Sequence, residues 1–199
     1  MAGTAVSWKG TALAAKDGQL WGQLATPGAS ARLTLDTDGT PDATANASAF
    51  HYGITKAGAK LSIKVGYIKH RADEFRGPIH TIVDSLDMMI AASLLAVTDL
   101  DVVKNVLAGV GTYSTASGYK QVTVGSLAIA YQSIACIFPL VEDTTKWGIF
   151  NIYKSINESG IEWDQGRTAL GEMPVVFSGY EVTTRAAADT MGNYWKQIA

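Results

Sequence analysis

Three histidines, one cysteine and a few adjacent carboxylates are the side chains in this sequence that could carry chemistry. His51, His70 and His80 are the natural metal ligands. Their spacing puts no two of them on one helix face, and the lone Cys136 cannot complete a cysteine-based zinc set. Cys136 lies in the apolar run Ile134-Ala135-Cys136-Ile137-Phe138. A thiol there is expected to be a small buried hydrophobe rather than a nucleophile. His70-Arg71-Ala72-Asp73 imitates a fragment of a kinase catalytic loop, but the glycine loop, lysine and metal motif that such a loop serves are missing. Gly109-Val110-Gly111 lacks the third glycine of a dinucleotide fingerprint and opens no alternating β/α unit. Neither a phosphate-binding Walker pattern nor a Gly-x-Ser-x-Gly elbow occurs. The acidic neighbours Asp73 with Glu74, Asp99 with Asp101, and Glu142 with Asp143 read as turn, helix-start and loop charges rather than acid/base pairs. The expectation is a protein that is not an enzyme, with no catalytic residue, no cofactor and no metal site.

Composition points instead to association. The 199 residues suit a single domain with a real core. Charged residues make up 17%, against about 25% in an ordinary soluble domain, while the apolar share is a normal 47%. Less charge at unchanged apolar content implies that part of the surface meets protein rather than water. The alternative that composition leaves open is a compact domain surfaced with Ser, Thr, Ala and Gly. A net charge of −2 argues against gripping nucleic acid by phosphate neutralisation. One cysteine excludes an intramolecular disulfide and fits a reducing cytoplasm. The start, Met1 to Lys9, shows no basic-then-apolar signal pattern. The longest apolar run, Met88 to Val97, is broken by Ser93 and is too short to cross a bilayer, so no membrane insertion is expected.

The elements that would carry such a surface are mostly strands. Lys60 to Ile68 alternates, with Leu61, Ile63, Val65 and Tyr67 on one face and Lys60, Ser62, Lys64 and Gly66 on the other. That pattern predicts a half-buried strand. Six basic residues (Lys56, Lys60, Lys64, Lys69, Arg71 and Arg76) against Asp73 and Glu74 make this stretch a basic ribbon in an acidic protein. Phe75-Arg76-Gly77-Pro78-Ile79 predicts a turn, since Gly-Pro cannot continue a ladder. Thr98 as N-cap, Asp99 and Asp101 in the first turn, the apolar Leu100, Val103 and Leu107, and Gly109 as a stop predict one short helix near 99–108. Ala31–Asp36, Gln121–Val124, Trp147–Lys154 and Pro174–Val182 read as further strands, and 37–46 as a loop. Several strands parted by turn clusters indicate an all-β sandwich or barrel. Trp8 and Trp21 stand among small residues and read as anchors of an N-terminal arm. The expected layout is one domain over 1–199, with an arm over 1–30, a β core over 31–185, and a short helix or arm over 186–199.

In this order of elements the chain resembles the tail-tube (major tail) proteins of long-tailed bacteriophages. The residues that carry the resemblance are Ala72-Asp73-Glu74-Phe75-Arg76-Gly77-Pro78-Ile79, the apolar strand and helix after them, and Gly118-Tyr119-Lys120-Gln121-Val122-Thr123-Val124-Gly125. It continues through Trp147–Lys154, Ile161-Glu162-Trp163-Asp164 and Gly171–Phe177, so it spans about residues 30–185. The resemblance implies a mainly β protein, with two packed antiparallel sheets flanked by one short helix and with extended loops and arms. It implies hexameric rings of this chain stacked into a tube, with tape-measure and tail-end proteins as partners. Double-stranded DNA would pass through the lumen without specific binding, and the protein would be made in the host bacterial cytoplasm and end in the virion. Subunit contacts are expected from Trp8 and Trp21 in the arm and from the turn Asp73, Glu74, Phe75, Arg76, Gly77 and Pro78. Two other readings share these features: a tube or terminator subunit of a contractile or injection apparatus, and a β-sandwich carbohydrate-binding module stacking sugars on Trp147, Trp163 and tyrosines.

Overall fold

The computed structural model describes residues 19–22, 49–53, 55–71, 77–95, 100–107, 111–125, 130–143, 145–162, 172–186 and 189–198. In chain order the elements are β1 (Gln19–Gly22), β2 (Phe50–His51), β3 (Thr55–Arg71), β4 (Pro78–Leu94), α1 (Leu100–Val106), β5 (Gly111–Ala116) and β6 (Tyr119–Val124). β7 (Gln132–Pro139), β8 (Trp147–Asn157), β9 (Met173–Gly179) and β10 (Gly192–Lys196) follow. The protein is thus mainly β, with two antiparallel sheets and one short helix among the described residues. The expected strand at Ala31–Asp36, the loop at 37–46, and the capping residues Thr98 and Gly109 lie outside the described residues.

The main sheet runs β2-β1-β7-β8-β9-β4-β3, and β10 pairs β8 off this path. β8 is the branch point. Asn151 faces Ala135 of β7 on one edge and Asn193 of β10 on the other, while Ser155 faces Gln132 of β7 and Gly179 of β9. β10 and β9 therefore take successive lengths of the same β8 edge. At the ends of the path, β1 comes within 8 Å of β3 between Cα atoms. The sheet thus curls around one core, which makes it more barrel than flat layer.

That core follows from strand periodicity. Leu20, Ile90, Leu94, Ile134, Ile152, Met173, Val175 and Phe177 are sealed from solvent in one cluster. α1 adds Val102 and Val106 to it. Seven residues rich in valine would not hold a helix in water, so this packing, together with the Gln132 side-chain amide donating to the Asn105 carbonyl at 3.2 Å, keeps α1 in place. β7 is buried on both faces: Ile134 and Cys136 point into the main cluster, while Ala135 and Ile137 join Trp147 and Ile149 in a second. Cys136 is buried as expected, and burial pushes its thiol up to about 12. β5 and β6 form the second sheet, joined by Ser117 and Gly118 with φ of 52° and 81°. Two successive positive φ values are what a two-residue turn matching strand twist requires.

Two described segments within the expected arms are strands of the main sheet. Gln19–Gly22 is an internal strand between β2 and β7. Gly192–Lys196 is a strand on β8, neither helix nor arm. β1 depends on its glycine, because a Cβ on Gly22 would stand 2.6 Å from the Tyr52 ring. Beside it, the His51 ring lies 4.8 Å from that of Trp21, its Nε2 has no hydrogen-bond partner, and burial drives its imidazole down to about 4. The unfolded chain protonates His51 near 6.5 and the folded chain only near 4. This contribution to stability is therefore complete above pH 6.5 and is lost as pH falls towards 4. His51→Phe is expected to flatten the fall in melting temperature across that window; an unchanged slope would assign the acid sensitivity elsewhere.

Candidate assembly surface

β3 and β4 are each 17 residues long and pair along nearly their whole length. At about 3.3 Å per residue the hairpin reaches roughly 55 Å, far more than the core can cover. Only the base is built into the body: β9 pairs β4 over Met89–Leu94, and nothing among the described residues pairs its outer edge from Pro78 to Met88. Directly opposed residues share a face. The rungs Leu61/Ile90, Ile63/Met88 and Val65/Leu86 therefore continue the core-facing side outward. After a bulge at Asp84, the rung Tyr67/Val83 extends it.

Burial collapses along this one face. Ile90 is 0% exposed and Met88 6%, but Ile63 is 57%, Tyr67 58% and Val83 61% exposed. The opposite face carries Lys64 directly across from Asp87, Gly66 across from Ser85, and then Ile68/Ile82 and His70/His80 towards the end. The projecting length is thus an amphipathic two-stranded ribbon whose apolar side has no cover within the described chain. An isolated hairpin of this kind is marginal in water, and a contiguous exposed apolar stripe marks an interaction surface.

The alternation of Leu61, Ile63, Val65 and Tyr67 is as the sequence indicates, but the face is exposed, not half-buried, from Ile63 onward. The core ends at the Met88 rung, and sequence alternation carries no information about where the covering layer stops. Of the residues expected at the interface, Gly77 and Pro78 are exposed at the far end of this hairpin. Trp8 and Asp73, Glu74, Phe75 and Arg76 lie outside the described residues. Trp21 is not in an arm. It is half-buried in β1, packs against the second cluster, and donates from Nε1 to Gln19 Oε1 at 3.1 Å.

Further exposed apolar side chains lie around β10, on both of its faces: Tyr194 sits opposite Phe150 and Trp195 opposite Ile149. Val141 (100%), Tyr194, Trp195 and Ile198 (84%) are exposed there, with the Tyr194 ring stacked on Phe138 at 6.1 Å. The Lys196 ammonium pairs with Glu142, and that pairing holds the Glu142 carboxyl below its usual range. Among the described residues β10 pairs only with β8, which leaves its other edge without a strand partner.

A polar cluster around Tyr153 is engaged structurally. The Tyr153 hydroxyl donates to Asp189 Oδ1 at 2.6 Å and accepts from Asn193 Nδ2 at 2.7 Å. Arg185 lies 4.0 Å over the Tyr153 ring and pairs with Asp189. Burial, then the Asp189 hydrogen bond, pushes the Tyr153 phenol up to about 12. This latch fastens 182–189 and β10 to β8. A shallow groove lined by Tyr131, Lys154 and Glu181 sits nearby. The Lys154 ammonium covers the Tyr131 ring at 4.2 Å and Tyr180 meets that ring edge-on, so the pair offers no flat sugar platform. Trp147, expected in such a platform, is buried, and Trp163 lies outside the described residues. Among the described residues no three His, Cys, Asp or Glu side chains gather to hold a metal, and no helix is long and apolar enough to cross a membrane.

The fold and surface together define a β protein built with one long projecting ribbon. The chain matches no protein-family model and no curated protein. Removing the latch hydroxyl in Tyr153→Phe is expected to lower stability by about 1–3 kcal/mol, since its acceptor is charged. Urea unfolding measures this, and an unchanged midpoint would show that the latch contributes nothing.

Proposed function

We propose that this protein is a structural subunit that polymerises with copies of itself, and that the polymer is the tail tube of a bacteriophage, the conduit for DNA delivery. The observation that carries self-association is the β3–β4 ribbon, whose apolar face leaves the core at Met88 and runs on through Val65, Tyr67 and Val83 without cover from the described residues. A second copy supplies the missing layer. The exposed apolar side chains around β10, Tyr194 on one face of the strand and Trp195 on the other, are distinct from the ribbon and not a copy of it. Contact between two unlike surfaces is head-to-tail, which closes rings or propagates filaments instead of stopping at a dimer. Joining unpaired strand edges between copies also removes the aggregation hazard of an open ladder.

The phage-tail setting is supported by the resemblance in element order, and with it come the hexameric ring, the tape-measure and tail-end partners, and residence in the virion. A net charge of −2 suits a wall that DNA slides past, since the chain as a whole does not attract phosphate. The reading assigns the chain no catalysis and no cofactor.

Electron microscopy over a concentration series tests this. The wild-type chain is expected to form rings or open tubes of uniform width. Val65→Asp, Tyr67→Asp and Val83→Asp replace exposed side chains, so each should fold with an unchanged melting temperature. Losing one buried apolar contact between copies should raise the assembly concentration by about 10- to 100-fold. Variants that assemble like wild type, or a wild-type chain that stays single throughout, would contradict the proposal.

A further inference from the structure

His70 and His80 are ten positions apart in sequence and look unrelated there. The hairpin register makes them directly opposed partners on one face of β3 and β4. Both are exposed, with ring centroids 6.1 Å apart and planes inclined by 26°. With nitrogen–metal bonds of about 2.0 Å, two imidazoles on one tetrahedral ion have centroids roughly 5 Å apart. The pair must therefore close by about 1 Å and tip its rings so that one nitrogen of each points at a common centre. Exposed histidine side chains make such rotamer adjustments readily, while the backbone ladder already holds the two Cα atoms opposite one another.

The surroundings favour one class of ion. The adjacent rung on the same face is Ile68/Ile82, so neither a lysine nor a carboxylate stands there. Lys69, the nearest described cation on β3, alternates to the other face. Two imidazole nitrogens are a poor site for calcium or magnesium, which take oxygen ligands. They suit zinc, nickel or copper, with water filling the remaining positions.

We propose that His70 and His80 form a two-histidine site for a nitrogen-preferring divalent transition-metal ion, which clasps the two strands together near the end of the hairpin. Metal binding there stabilises the ribbon because the ion binds the paired strands and not the separated ones. The site lies within one chain and does not depend on assembly.

The test is calorimetric titration of untagged protein, at concentrations where it is unassembled, with zinc chloride and separately with nickel chloride. Saturable binding is expected in wild type, together with joint movement of the His70 and His80 imidazole NMR signals. His70→Ala and His80→Ala should each weaken it at least about tenfold, while Lys69→Ala, on the opposite face, leaves it unchanged. Circular dichroism confirms that the exposed substitutions leave the fold intact. Absence of saturable binding in wild type at millimolar metal, or equal binding by the double variant, would overturn the site.

Discussion

A strand alternates its side chains whether or not there is anything to cover them, and that constraint governs this molecule. β4 enters the core with Ile90, Ala92 and Leu94 buried on one face. Its ladder with β3 then forces Leu86 and Val83, and opposite them Val65 and Tyr67, onto the same face beyond the Met88 rung, where the core ends. At about 25 cal/mol per Å² of apolar surface left in water, such a stripe stores several kilocalories per mole that a covering layer would release. The ribbon is stable enough to project because its base is held between β9 and the core.

The rest of the fold serves that base. β7 is the deepest strand, buried on both faces, and β8 beside it branches to take both β10 and β9 on one edge. The branch places β9 where it can pair with Met89–Leu94 of β4. The Tyr153–Asp189–Arg185 latch closes the loop that delivers β10. The exposed Tyr194 and Trp195, on opposite faces of β10, are thereby fixed on the same sheet that anchors the ribbon. Two unlike sticky surfaces held on one sheet are what a repeating head-to-tail assembly requires.

Much of this architecture was legible in the sequence. The alternation at Leu61–Tyr67, the strands at Gln121–Val124, Trp147–Lys154 and Pro174–Val182, and the helix within 99–108 are all present, because each carries a local period or a local start signal. The strands at Gln19–Gly22 and Gly192–Lys196 were hidden. They are short and glycine-containing, and neighbouring strands confer their conformation. Half of the ribbon was hidden for a different reason: the bulge at Asp84 breaks the alternation of β4, and Met88–Leu94 is apolar on both faces. The pairing of His70 with His80 needs the register, which the turn and bulges set and no residue spacing reveals.

The most direct measurement is hydrogen–deuterium exchange along 62–71 and 78–87, comparing the dilute chain with the concentrated one. If the ribbon is an unfilled half of an interface, these amides exchange fast in the dilute chain and become protected on assembly, while β7 and β8 are slow in both. Protection already present in the dilute chain, or exchange unchanged by concentration, would show that a second copy does not cover the ribbon.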